Sequence, residues 1–311
     1  MKALGIALLL SSVAVHGDVL SNFSPFLGSP EPDYSPQDLV PDQSMEDARY
    51  APFSPADSDF GVQQVLGARP DRAPVNFFLN FDLNYTDNAP APTPAMEDGS
   101  WFSSILIGAS WQPHIACGWF ADVGITQEFF DFDEGNATDF ENMQPYFGVV
   151  KNLVDLDDTI FYARYEYQRL TLGSFSNSNY SGQRLRAGLQ KSLFVTSRQQ
   201  LAGSISTAYE FKSDPGRFER MEYAAELTYT WWFTDDLAGT ASYRAAYWDF
   251  DSFGRHDWNH TAGVELTYRI CKNASAYTNV YYSNNDSNSA FGVNDFEAWQ
   301  AGLGIGLNYS F

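Results

Sequence analysis

Between residues 219 and 233, Met221, Tyr223, Ala225, Leu227, Tyr229, Trp231 and Phe233 alternate with Glu222, Ala224, Glu226, Thr228, Thr230 and Trp232. A repeat of two belongs to an extended strand, whose successive side chains point to opposite faces; a helix would mix the two sets. The row with two carboxylates must face water or partner charges. The other row, bulky and aromatic, must face something apolar.

The pattern recurs from Asn76 onward. Phe77, Leu79, Phe81, Leu83 and Tyr85 alternate with Phe78, Asn80, Asp82 and Asn84. Comparable segments lie at 101–111, 117–130, 142–152, 159–171, 182–194, 199–212, 219–233, 237–250, 258–272, 275–283 and 297–311. The count is twelve, and because 101–111, 142–152 and 275–283 are the least regular, ten and fourteen bound it. Connections alternate between long (87–100, 131–141, 172–181, 213–218, 251–257, 284–296) and short (112–116, 153–158, 195–198, 234–236, 273–274). Long loops at one face, short turns at the other and both ends on the short side require an even strand number. No later stretch approaches the roughly 18 apolar residues of a membrane helix. Strands that cross lipid must close on themselves, because lipid cannot satisfy an open edge. The predicted fold is therefore all-β: an antiparallel transmembrane β-barrel of twelve strands behind a Pro-rich N-terminal segment.

In such a barrel the charged rows line the lumen. Arg164, Glu166, Arg184, Arg186, Glu222, Glu226, Arg244, Glu265 and Arg269 are the lumen or constriction candidates. If Thr234-Asp235-Asp236 closes a hairpin with Phe233 opposite Leu237, Glu226 falls opposite Arg244. A matching register in the next pair sets Arg244 against Glu265, giving an acid–base–acid ladder across the wall. Such a ladder either braces the wall or forms part of a constriction that sorts solutes by charge and size. Aromatic residues fall at both ends of the strands: Tyr85, Trp101, Tyr247 and Trp258 on the loop side, Trp111, Trp119, Trp231 and Phe233 on the turn side. Two girdles at headgroup level are expected of a membrane barrel.

Three regions follow. Residues 1–17 carry one positive charge, an apolar stretch and small residues near Gly17, the pattern of a signal peptide. Residues 18–75 hold nine of the fifteen prolines among acidic and small residues and read as a periplasmic leader. The apolar residues from Tyr50 to Gly67 open a second reading, a plug docked in or beneath the barrel mouth. Residues 76–311 are the barrel. A net charge of −21 argues against nucleic acid as a partner and disfavours anionic cargo. Two cysteines, Cys117 and Cys271, are too few for a disulfide framework or a structural zinc site. They are expected as free thiols, Cys117 towards lipid and Cys271 towards the lumen.

The last strand sets Trp299, Ala301, Leu303, Ile305, Leu307, Tyr309 and Phe311 against Gln300, Gly302, Gly304, Gly306, Asn308 and Ser310. An alternating strand ending in Phe resembles the C-terminal signal of Gram-negative outer-membrane β-barrel proteins, a porin-like superfamily. The resemblance is close over this strand and general over residues 76–311. It implies an outer-membrane location after export, with Trp299, Leu303, Ile305, Leu307, Tyr309 and Phe311 as the assembly signal. Outer-membrane lipids, lipopolysaccharide and the barrel assembly machinery are the implied partners. The glycine row leaves one lumen-facing stripe without side chains, suited to strand curvature and packing.

Catalytic chemistry finds little support. Of His114, His256 and His260, only His260 has a position like that of lipid-facing catalysis in outer-membrane phospholipases, and Asn259-His260-Thr261 lacks their His-x-Ser arrangement. Asp131, Asp133, Glu134, Asp139 and Glu141 read as a solvated acidic loop, their spacing not being that of an EF-hand. No metal or cofactor is expected. The leading functional expectation is a passive channel for small hydrophilic or cationic solutes; the alternatives are a non-conducting structural or surface-interaction barrel and a lipid-active enzyme.

Overall fold

A computed structural model describes residues 75–310 except 88–98, 117, 134–138, 154–155, 157–158, 173–176, 252–253 and 289–294. The expectations for the signal peptide, the leader or plug, Cys117 and Phe311 lie outside the described residues. The described strands are β1 (Val75–Thr86), β2 (Ser100–Trp111), β3 (His114–Ala116), β4 (Trp119–Phe132), β5 (Phe140–Leu153), β6 (Thr159–Leu172) and β7 (Asn177–Thr196). They continue as β8 (Gln199–Asp214), β9 (Arg220–Trp232), β10 (Leu237–Phe250), β11 (His256–Cys271), β12 (Ala274–Ser287) and β13 (Phe296–Ser310).

Each strand pairs antiparallel with its neighbour, β2 passes over β3 to pair with β4, and β13 returns to β1. Twelve strands thus close the barrel, and β3 is a three-residue side strand on β4. The closing seam is long and regular, running from Asn76 opposite Ser310 to Thr86 opposite Gln300.

Alternation sets the two faces as expected. Phe77, Leu79, Phe81, Leu83 and Tyr85 are exposed on the outside of β1, whereas Phe78, Asn80 and Asn84 are buried inside. Trp299, Leu303, Ile305, Leu307 and Tyr309 form the outward row of β13. Girdle aromatics meet as direct cross-strand pairs on the loop side: Tyr85 with Trp101 at 5.5 Å between ring centroids and Tyr247 with Trp258 at 5.0 Å. On the turn side, Trp231 and Phe233 pack at 4.7 Å.

Strand ends differ from the sequence reading. β7 begins at Asn177, β11 at His256, and β12 runs on to Ser287 through Ser283-Asn284-Asn285-Asp286. Polarity marked these residues as loop, but beyond the headgroups nothing penalises polar side chains on a strand, and the ladder continues. The start of β11 has a consequence inside the barrel. Phe250 N–H donates to the Arg255 carbonyl at 2.9 Å, so the hairpin is tighter than expected and Arg244 lies opposite Thr261, not Glu265. Glu265 lies opposite Thr240. The β9–β10 register is as expected, with Arg244 opposite Glu226.

Glycines seat the inward aromatics. Phe78 faces Gly108, Tyr146 faces Gly124, Tyr162 faces Gly188 and Tyr281 faces Gly263 in direct register. A Cβ on any of these glycines would lie within 2.6 Å of the ring facing it. Gly302 and Gly304 serve their neighbours in the same way: a Cβ there would fall 1.8 Å from Asn84 Oδ1 and 2.4 Å from Asp82 Oδ1. At Gly302 and Gly304 the stripe on β13 is thus filled from the adjacent strands. Gly188→Ala is expected to displace Tyr162 and lower stability by about 1–3 kcal/mol, the usual cost of overpacking. Denaturant unfolding of the detergent-folded protein measures it, and an unchanged midpoint contradicts the seat.

Candidate functional site: a charged network on the lumen wall

Strands β6 and β7 place like charges face to face. Arg164 is opposite Arg186 in direct register, an unfavourable pairing unless acids intervene. Glu166, opposite Arg184, supplies one such acid: it pairs with Arg184, with Arg186 at 3.3 Å and with Arg164 at 3.8 Å. Asp122 on β4 takes the other side of Arg164 at 3.2 Å, and Tyr146 stacks its ring 4.5 Å from the guanidinium carbon.

Glu222 on β9 continues the chain. Its Oε1 accepts from Arg186 at 3.3 Å and Arg244 at 3.0 Å, while Trp248 Nε1–H donates to Oε2 at 2.7 Å. The result runs Asp122–Arg164–Glu166–Arg186–Glu222–Arg244 across β4, β6, β7, β9 and β10. Arg220 stacks on the other face of this region, 4.5 Å from the Trp248 ring. Glu166 and Glu222 each serve more than one arginine, and this sharing is what makes buried charge tolerable at low dielectric.

Six of the nine expected lumen residues therefore come together: Arg164, Glu166, Arg184, Arg186, Glu222 and Arg244. The other three do not join through the contacts described here. Glu226 accepts from the Thr228 hydroxyl at 3.4 Å, and Arg244 reaches diagonally to Glu222 instead of straight across to it. Diagonal contact brings a third partner, Trp248, into the same carboxylate. Glu265, displaced by the tighter β10–β11 hairpin, accepts from Thr267 at 2.7 Å and from Tyr281 at 3.5 Å. Arg269 sits at the turn-side rim, its side chain 55% exposed and bonded to Asp236 at 3.0 Å, so it is no part of a constriction. Cys271 is a free, exposed thiol beside it, lining a rim recess of about 210 Å³ with Lys272 and Asn273. The expected acid–base–acid ladder is replaced by a base–acid–base centre, Arg186–Glu222–Arg244.

Sequence reasoning missed Asp122, although it shares the inward parity of Glu128 on the same strand. It also missed the inward aromatics at the loop end. Phe102, Phe130, Phe132 and Phe140 pack there with Leu170, Tyr180 and Phe218, the Phe130 and Phe140 rings stacked at 4.2 Å. Phe129-Phe130 is apolar on both faces, so alternation gives no sign of which ring turns inward.

The acidic loop and the histidines have local partners. Asp139 accepts the Phe132 N–H at 3.0 Å, and Glu141 accepts from Thr171. His260 Nδ1 is 2.8 Å from the Tyr243 hydroxyl, and its ring stacks on Trp258 at 6.3 Å on the lipid side. His256 meets Asn288 at 3.1 Å.

No protein-family model matches the chain, and no curated protein matches it in sequence. In backbone it is similar to an outer membrane channel from Pseudomonas putida F1, with TM-score 0.52 and 9% identity, over 76% of this chain and 95% of that one. The outer membrane channel DcaP of Acinetobacter baumannii aligns with TM-score 0.44 and 9% identity over 76% of this chain and 96% of its own. The NanC porin aligns with TM-score 0.44 and 11% identity over 74% and 98%. The likeness is one of fold: a closed barrel of the outer-membrane type.

Glu222→Ala is expected to leave two buried guanidinium groups short of an acceptor and to cost about 3–5 kcal/mol. A double-mutant cycle with Arg244→Met, read by denaturant unfolding, should recover part of that loss; strictly additive costs would mean the two side chains act separately.

Proposed function

We propose that this protein is a passive outer-membrane channel for small hydrophilic solutes, with cations favoured over anions. The observation that carries the reading is the two-sidedness of the closed barrel: the outward rows are apolar with aromatic ends, and the middle of the inward rows is charged, amide or hydroxyl. A lipid-facing exterior with a hydrophilic interior suits water and small solutes. Strands β12, β13, β1, β2 and β4 contain no Lys or Arg, so one continuous sector of the wall carries acids alone. An acid sector raises the local concentration of cations.

Export through the N-terminal signal, delivery by the barrel assembly machinery and contact with lipopolysaccharide belong to the same reading. The backbone likeness to a channel and the histidine surroundings favour transport over catalysis. A second reading, a non-conducting brace, is favoured by the close burial of the network: Asp122, Glu222 and Arg244 are 1–2% exposed.

Planar-bilayer recording separates the two. The full-length protein should give discrete steps with a cation preference. Arg244→Ala should shift the permeability ratio further towards cations, on the order of 1 kcal/mol or about fivefold. Silence from a correctly folded protein favours the brace; steps unaltered by the substitution remove Arg244 from the permeation path.

A further inference from the structure

Two cross-strand rows meet over the closing seam, on the lumen side. Glu265, Asn279, Gly302 and Asn84 are successive register partners across β11, β12, β13 and β1. Thr267, Tyr277, Gly304 and Asp82 form the adjacent row. The two glycines contribute no side chain, so the groups on β12 and β1 lean over β13 towards each other. Tyr277 donates its hydroxyl hydrogen to Asp82, and Asn84 Oδ1 occupies the space above Gly302.

The chemistry of this patch is one-sided. None of the ion pairs described above includes Asp82 or Glu265, and the strands on the β1 side of β11 contribute no basic residue. Asp82 and Glu265 act on each other as like charges. The amide oxygens of Asn84 and Asn279 belong to side chains only 3% and 7% exposed, and neither accepts a hydrogen bond. A buried carbonyl without a donor is unfavourable, and two orphaned acceptors on either side of Gly302, with a carboxylate in each of the two rows, are a set of oxygens that lacks a positive centre.

We propose that this seam patch binds a hard metal cation of the calcium type, held by Asp82, Glu265 and the amide oxygens of Asn84 and Asn279. Oxygen-only donors suit such an ion. Among the described residues no three acidic, imidazole or thiol groups converge on one point, so the ion keeps part of its water and takes neutral oxygens for the remainder. Its ligands come from the first strand of the barrel and from the penultimate hairpin. Binding therefore ties together the two ends of the sheet across β13 and stabilises closure, whether or not a solute passes.

Terbium luminescence tests this on the full-length protein folded in detergent, with tyrosine excitation, since Tyr277 lies in the patch. Saturable emission, displaced by calcium, is expected. Asp82→Asn combined with Glu265→Gln should weaken the apparent affinity at least about tenfold, the effect of losing on the order of 1.4 kcal/mol. Asn84→Ala and Asn279→Ala, which leave the net charge alone, should each weaken it too, and Asp286→Asn with Asp295→Asn at the loop-side rim should not. If the carboxylate variant fails to fold, the amide variants decide. Emission that does not saturate, that is unchanged in the amide variants, or that is lost in the rim variant overturns the proposal and leaves protons as the counter-charge of the seam.

Discussion

Every feature of this structure depends on one constraint: backbone N–H and C=O groups in lipid must be bonded to one another. For a chain without a long apolar helix, only a sheet closed on itself meets it. The β1–β13 ladder is the interaction that achieves closure here, and it runs the length of both strands. Once closed, a barrel leaves side chains only two environments. Parity along each strand therefore decides almost everything about where a residue can act.

Closure also explains why the glycines are where they are. A twelve-strand barrel has a narrow interior, and inward Tyr and Phe rings cannot all extend towards the axis. Instead Tyr162, Tyr281 and Phe78 lie flat against the wall, each over the glycine facing it in register. The charged network is compressed by the same geometry. Arg164 and Arg186, directly opposed, are held apart from each other by Glu166, and the shared carboxylate converts a repulsive pair into a bridge.

Parity was legible in the sequence because it needs only alternation. Glu222 and Glu226 on one face of β9 fixed the inside of that strand, and the structure places their row as read. The β9–β10 register was also legible, since the three-residue turn after Phe233 leaves little freedom. The β10–β11 register was not. Its loop was read as 251–257, yet Phe250 N–H bonds the Arg255 carbonyl and the ladder already begins at His256. A shift of that size carried Glu265 away from Arg244 and left it near the seam. Doubly apolar runs such as Phe129-Phe130 were opaque for the opposite reason: they contain no contrast from which a face can be read.

The β10–β11 shift divides the lumen wall. With Glu265 removed from reach of Arg244, Arg164, Arg184, Arg186 and Arg244 on β6, β7 and β10 share the three acids Asp122, Glu166 and Glu222. Beyond β11, strands β12, β13 and β1 contribute acids and amides and no Lys or Arg. In a register that paired Arg244 with Glu265, that carboxylate would have belonged to the arginine network instead of the seam. The tight β10–β11 hairpin thus does more than shorten a loop: it separates an arginine-centred network from a sector of acids and amides.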